Sequence, residues 1–165
     1  MAGERIMIVE DEVVIAMELQ RKIEKLGYNV TGVIGSGAEA VESAATAKPN
    51  LVLMDIKLAG EMDGIEAAKS IHDRYDIPII YLTAHADEKT LQRAKLAQPF
   101  GYLVKPFSEV ELRTTIEVSL YKHMQEKKSK EATEFSALTF LQAQLRTASI
   151  SLRRTWPTRM PWTVP

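Results

Sequence analysis

Several polar residues stand where a short apolar run gives way to a loop. Glu10, Asp11 and Glu12 follow the run Arg5-Ile-Met-Ile-Val9, and Asp55 follows Leu51-Val-Leu-Met54. Thr83 and His85 follow Pro78-Ile-Ile-Tyr-Leu82, and Lys105 follows Gly101-Tyr-Leu-Val104. Carboxylates brought close together repel unless a cation joins them. The donors on offer are oxygens, the chain has no cysteine, and histidine lies outside the acidic group. A hard cation that prefers octahedral oxygen ligands fits such a set, meaning Mg²⁺ or Mn²⁺. A carboxylate at a strand end can also act as a nucleophile and form an acyl phosphate. Asp55 is the residue placed for that role. Lys105 would pair with a phosphoryl oxygen as a point charge, and Thr83 would donate a hydrogen bond to another.

These roles require the residues to meet, and the pattern of elements says where. Short β-branched runs alternate with longer amphipathic segments. Ala16, Leu19, Ile23 and Leu26 recur at spacings of three and four, giving a helix over Glu12–Leu26 that Gly27 stops. Asn29–Ile34 is the next strand, followed by a helix over Ala38–Ala47. A third strand ends at Asp55, a helix covers Ile65–Tyr75, and Pro78–Leu82 is the fourth strand. A helix over Asp87–Leu96 starts on an Asp87 cap, and Gly101–Val104 is the fifth strand. Ser108 and Glu111 form a capping box for the last helix. Near-continuous apolar strands alternating with helices argue for a parallel sheet covered on both faces. Right-handed crossovers make this an α/β doubly wound fold, whose ligands bind beyond the carboxyl ends of the strands. The flavodoxin-like strand order 2-1-3-4-5 enters by analogy. It would make the four residue-bearing strands neighbours.

The character changes near residue 124. Residues 1–123 read as one domain. Residues 124–165 read as a helical extension running into an ill-defined tail, as would the start of a linker to a further module. Phe135, Leu138, Leu141 and Leu145 form a narrow helical stripe. Apolar residues make up 45% of the chain and the net charge is −1, so no global basic field argues for nucleic acid. Arg153 and Arg154 beside Trp156 and Trp162 are weak grounds for nucleic-acid contact, and no DNA-binding module is evident. No apolar run reaches the roughly 20 residues needed to span a bilayer. No signal peptide is evident either, so a cytoplasmic location without a membrane partner is expected.

Taken singly, each polar residue has a plainer account. Acids favour helix N-termini. Asp55 is a turn residue, Thr83 a half-buried strand residue, Lys105 a solvated lysine and Tyr102 a core aromatic. His72, His85 and His123 read as surface histidines. Lys89, Arg93 and Lys95 read as a solvated helix face, or, with Tyr102 and the last helix, as a docking face.

Together they carry more. Ile6-Met-Ile-Val-Glu-Asp-Glu12, Leu53-Met-Asp-Ile-Lys-Leu58, Tyr81-Leu-Thr-Ala84 and Gly101-Tyr-Leu-Val-Lys-Pro-Phe107 resemble, in order and interval, the four signature stretches of response-regulator receiver domains. The resemblance covers about residues 4–122. It implies that Asp55 accepts a phosphoryl group from a histidine kinase or phosphotransfer protein. It implies that Asp11 ligates Mg²⁺ directly, that Glu10 acts through water, and that Asp55 and the backbone carbonyl of Lys57 complete the protein ligands. It makes Thr83 and Tyr102 a switch pair, Lys105 the phosphate-binding lysine, and Lys105-Pro106 a cis peptide. Lys57 and His85 occupy the positions that tune the lifetime of the phosphoryl group. Such a protein is a signalling switch, catalysing only its own phosphoryl transfer and dephosphorylation. A homodimer would form through the fourth helix, fifth strand and fifth helix, or through the C-terminal helix. The acidic pair is Glu-Asp where many members have Asp-Asp.

Two other readings use the same fold. A phosphatase of the haloacid-dehalogenase type needs an aspartate two residues after its nucleophile, where this chain has Lys57. A binding module that has lost phosphorylation would not need the full set of chemical residues.

Overall fold

The computed structural model describes residues 3–84, 88–96 and 99–154. The elements alternate in chain order: β1 Arg5–Val9, α1 Val13–Lys25, β2 Asn29–Ile34, α2 Gly37–Ala47, β3 Leu51–Asp55, α3 Gly64–Tyr75, β4 Ile79–Thr83, α4 Glu88–Leu96, β5 Gly101–Val104 and α5 Glu109–Arg154. The strands form one parallel sheet in the order β2-β1-β3-β4-β5, the flavodoxin-like arrangement expected from the sequence.

Alternate residues of each strand feed opposite layers, because side chains in a strand have a period of two. Met7, Val9, Val52, Met54, Ile79 and Tyr81 face one layer with Ala40, Val41 and Ala44 of α2 and Ile65, Ala68 and Ile71 of α3. Ile6, Ile8, Leu51, Leu53, Ile80, Leu82 and Leu103 face the other with Leu19 and Ile23 of α1 and Leu112 and Ile116 of α5. Every residue of β3 and β4 is buried. Each large side chain so buried stabilises the fold by about 1.5–3 kcal/mol. Small alanines on α2 and α3 let two helices lie close on the same face.

Boundaries shift by one residue from the sequence reading in several places. The one that matters is β4, which reaches Thr83 and so places that hydroxyl at the strand's end. Leu26 caps α1, and Gly27 follows with φ +89°, a conformation that glycine adopts without strain. Ser108 and Glu111 form the expected capping box. The Ser108 hydroxyl accepts from the Glu111 N–H at 3.2 Å, and a Glu111 carboxylate oxygen accepts from the Ser108 N–H at 2.7 Å. Asp87 lies outside the described residues.

The chain divides into two units, Met1–Met124 and Gln125–Pro165. α5 has no break between its N-terminal turns and the extension. It is a single helix of 46 residues. In the second unit every side chain from residue 125 to 145 is exposed, including Phe135, Leu138, Phe140, Leu141 and Leu145. Among the described residues no helix is long and apolar enough to cross a membrane.

The tightest packing is at the start of α3. A Cβ built on Gly64 would sit 1.8 Å from the carbonyl oxygen of Asp55. Gly64→Ala is therefore expected to displace the loop after β3 and to lower stability by about 2–4 kcal/mol, read as a fall in the urea midpoint.

Candidate functional site

Ladder hydrogen bonds continue past the strand ends and fix the polar residues that follow. The Glu10 N–H donates to Ile34 O at 2.9 Å, Ile56 N–H to Leu82 O at 3.1 Å, and Lys105 N–H to Thr83 O at 2.7 Å. The register sets Val9 beside Met54, Asp55 beside Leu82, and Thr83 beside Val104. Glu10, Asp55, Thr83 and Lys105 thus end on adjacent strands at one edge of the sheet.

Glu10, Asp11 and Asp55 each offer a carboxylate oxygen, and these oxygens lie within 4.8 Å of one another. Glu10 is 2% exposed and Asp55 7%, whereas Asp11 stands on the open side. One cation already lies among them. The Lys105 ammonium donates to Glu10 Oε2 at 2.6 Å and to Asp55 Oδ2 at 2.9 Å. Backbone donors hold three of the four remaining oxygens. Lys57 N–H reaches Asp55 Oδ1 at 3.0 Å, Ala59 N–H reaches Asp11 Oδ2 at 3.0 Å, and Glu12 N–H reaches Glu10 Oε1 at 3.1 Å. Burial pushes the Glu10 carboxyl above the ordinary glutamate range, against the hydrogen bonds from Lys105 and the Glu12 N–H. Burial works to lower Lys105, but its bonds to Glu10 and Asp55 outweigh that and hold the ammonium above the ordinary lysine range.

The donor set suits a hard divalent cation. It is all oxygen, anionic, clustered, and open on the side of Asp11. The Glu12 backbone caps α1 without a side-chain bond. Thr83 is buried at the end of β4. Tyr102 packs with Tyr81, the ring centroids 5.8 Å apart, and its buried hydroxyl has no hydrogen-bond partner among the described residues. The Lys105-Pro106 peptide is cis, as the family resemblance implied. The Lys57 side chain is exposed, and His85 lies outside the described residues.

Residues 6–117 match the family described as the response regulator receiver domain. The chain belongs to that family. This receiver is 37% identical over 145 residues to the transcriptional regulatory protein PdtaR of Mycobacterium tuberculosis, a match covering 88% of this chain and 64% of the relative. It therefore spans less than two thirds of that relative's length. Among solved structures, the signal receiver domain of a modulated diguanylate cyclase from Desulfovibrio desulfuricans superposes with a TM-score of 0.72 at 41% identity, covering 74% of this chain and 98% of that one. The receiver domain of a sensor histidine kinase from Pseudomonas aeruginosa gives 0.66 at 33% identity, covering 72% and 98%. That structure holds a magnesium ion in its active-site cleft.

Two expectations for the receiver need correction. His72 and His123 are not free surface histidines. They are half-buried on either side of Phe100, with ring centroids 6.0 and 5.4 Å from it, and His123 Nε2 lies 3.6 Å from Asp76. Their distance in sequence hides this, because only the packing of α5 on β5 brings them together. Arg93 is not merely a solvated charge either. Its guanidinium donates to Asp63 Oδ2 at 2.7 Å. Asp63 was not singled out from the sequence, although Asp63-Gly-Ile-Glu66 carries the capping-box spacing that the structure realises.

Removing the Lys105 ammonium would leave two buried carboxylates facing each other. Lys105→Ala is expected to cost about 2–4 kcal/mol in chelator, since breaking a buried pair strands a charge. Part of that loss should return when Mg²⁺ is added, because a ligand bound only by the folded state stabilises it. Denaturation with and without Mg²⁺ measures both. A second expectation concerns pH. Burial would raise the Asp63 carboxyl, but the Glu66 N–H and Arg93 outweigh it and hold it below the ordinary aspartate range. A depressed folded value stabilises the fold above the ordinary carboxylate range, and that increment fades as pH falls through the folded value. The stability gap between wild type and Asp63→Asn should therefore be present at neutral pH and close in strong acid, as read by thermal melts across pH.

Proposed function

We propose that this receiver accepts a phosphoryl group on Asp55 in a Mg²⁺-dependent reaction and thereby switches a protein-binding surface. The observation that carries the reading is the Lys105 ammonium held between Glu10 and Asp55 at the strand ends. A carboxylate oxygen of Asp55 attacks phosphorus, the bond to the donor breaks, and the leaving group keeps the electron pair. A histidine kinase or phosphotransfer protein supplies the phosphoryl group. Glu10, Asp11, Asp55 and the Lys57 carbonyl would hold Mg²⁺, which offsets charge on the phosphoryl oxygens. Lys105 takes one phosphoryl oxygen and the Thr83 hydroxyl another, so the protein's work is mainly positioning and charge stabilisation. By the family resemblance, Lys57 and His85 would set how readily water removes the group.

The donor must reach Asp55, so its docking surface must rim the cleft. Val13, Val14 and Met17 are exposed on α1 just after the acidic group. A mostly apolar cleft of about 350 Å³ nearby is lined by Ile15, Leu19, Ala84, Pro106 and Phe107 together with the charged Glu18, Lys22 and Lys105. On the receiving side, inward movement of Thr83 would draw Tyr102 after it. The altered surface is α4, β5 and α5, where Leu96, Val104 and Tyr121 are exposed. A second copy would pair through that face or through the stripe at Phe135, Leu138, Leu141 and Leu145.

Incubation with Mg²⁺ and acetyl phosphate, followed by intact mass, tests the reading. One added phosphoryl group is expected in wild type and none in Asp55→Asn. An adduct that persists in Asp55→Asn would refute the assignment of the acceptor. With Mg²⁺ binding demonstrated, absence of any adduct even on trapping with beryllofluoride would favour a phosphorylation-independent binding module.

A further inference from the structure

Asp63 does two things at once. Its Oδ1 accepts from the N–H groups of Ile65 and Glu66, both at 2.9 Å, while the Glu66 carboxylate accepts from the Asp63 N–H at 3.2 Å. That reciprocal pair caps α3. Its second oxygen, Oδ2, faces away from the cap and takes the Arg93 guanidinium of α4. The cap itself is anchored to the phosphoacceptor loop. The next residue, Gly64, donates its N–H to Ile56 O at 3.1 Å and lies against the Asp55 carbonyl too closely for any side chain. This ion pair links α4 to the segment that carries Asp55.

Beneath the pair lie two tyrosines. Tyr81 is buried, and both Asp63 and Arg93 act on its hydroxyl electrostatically. Tyr102 stacks on Tyr81 at 5.8 Å, with a buried hydroxyl lacking a partner among the described residues. Ala94, next to Arg93, is fully buried in the same cluster. A ring packed in this way, its hydroxyl without a partner among the described residues, is placed to take another position if α4 yields.

We propose that Asp63 and Arg93 are positioning residues forming a latch that holds α4 in its unphosphorylated place, so that phosphoryl transfer to Asp55 is slower while the latch is closed. The inference rests on Asp55 being the acceptor. Movement of the Thr83 hydroxyl toward the phosphoryl group would shift α4 from this place. α4 then draws Arg93 off an Asp63 that cannot follow, because its cap and Gly64 are fixed. The pair is partly exposed, 53% at Arg93 and 31% at Asp63, so its hold is modest and screened by salt. A modest hold suits a switch that must open under a single modification.

The test uses the full chain and three substitutions. Arg93→Ala removes the cation. Asp63→Asn removes the anion but keeps a residue that caps helices well. Arg93→Lys keeps the charge. Amide exchange of residues 92–96 without phosphodonor should rise about two- to five-fold in Arg93→Ala and Asp63→Asn, a range set by exposed ion pairs. Arg93→Lys should stay near wild type. The rate of Asp55 labelling by acetyl phosphate should rise by a similar factor in each single variant and no further in the double variant. High salt should bring wild type toward the variants. Unchanged exchange in α4, unchanged or slower labelling, or additive effects in the double variant would each overturn the latch. If wild type itself takes no label, the reading of Asp55 fails. If it labels normally and the variants match it, the latch alone fails.

Discussion

Glu10 and Asp55 end on adjacent strands with almost no access to water, and the Lys105 ammonium between them makes that arrangement tenable. Unit charges about 4 Å apart interact by about 4 kcal/mol at an effective dielectric of about 20. Without a cation the two carboxylates would open the sheet edge or take up protons. With it they form a pre-set charge pattern of two acids, one base, and a third acid, Asp11, at the mouth. Everything else in the receiver holds these groups in register. The parallel ladder extends one residue past β1, β3 and β5.

On the proposed reading, the same pattern would let one site serve both resting and modified states. Lys105 shares its charge between two carboxylates in the structure. A phosphoryl group on Asp55 would offer it a more highly charged partner, and Mg²⁺ would take over the acidic pair. Glu10 is one methylene longer than the aspartate many family members carry there, and that length lets it meet the ammonium at 2.6 Å. On that reading the site would exchange one set of charge partners for another without leaving a buried carboxylate alone.

Signal must leave the cleft through elements that can move, and the packing separates those from the rest. β3, β4 and α3 are buried or tightly wedged, with Gly64 against the Asp55 carbonyl. On α4, Ala94 is buried and Arg93 makes a partly exposed ion pair with Asp63. On the proposed reading, a charge change at Asp55 would be expressed at α4 and the neighbouring face of β5 and α5. Tyr102, whose hydroxyl has no partner among the described residues, packs against the same core layer as Ala94 of α4.

By itself the sequence determined the alternation of strands and helices, the parallel sheet and the identity of the acidic group, Asp55, Thr83 and Lys105. It could do so because fully buried strands are written as uninterrupted apolar runs, and the polar residue that breaks each run marks the sheet's functional edge. The Ser108 capping box was legible for the same reason, since its partners are three residues apart. Tertiary structure decided what depends on distant partners. Arg93 looks like any surface arginine until α4 is laid beside the α3 cap, and His72 and His123 look exposed until Phe100 comes between them. The bond from Lys105 to Glu10, 95 residues apart, exists only because strand order puts β1 and β5 on either side of β3 and β4. Local periodicity reports which face of an element is apolar. It carries no information on which charged side chain, far along the chain, will be waiting there.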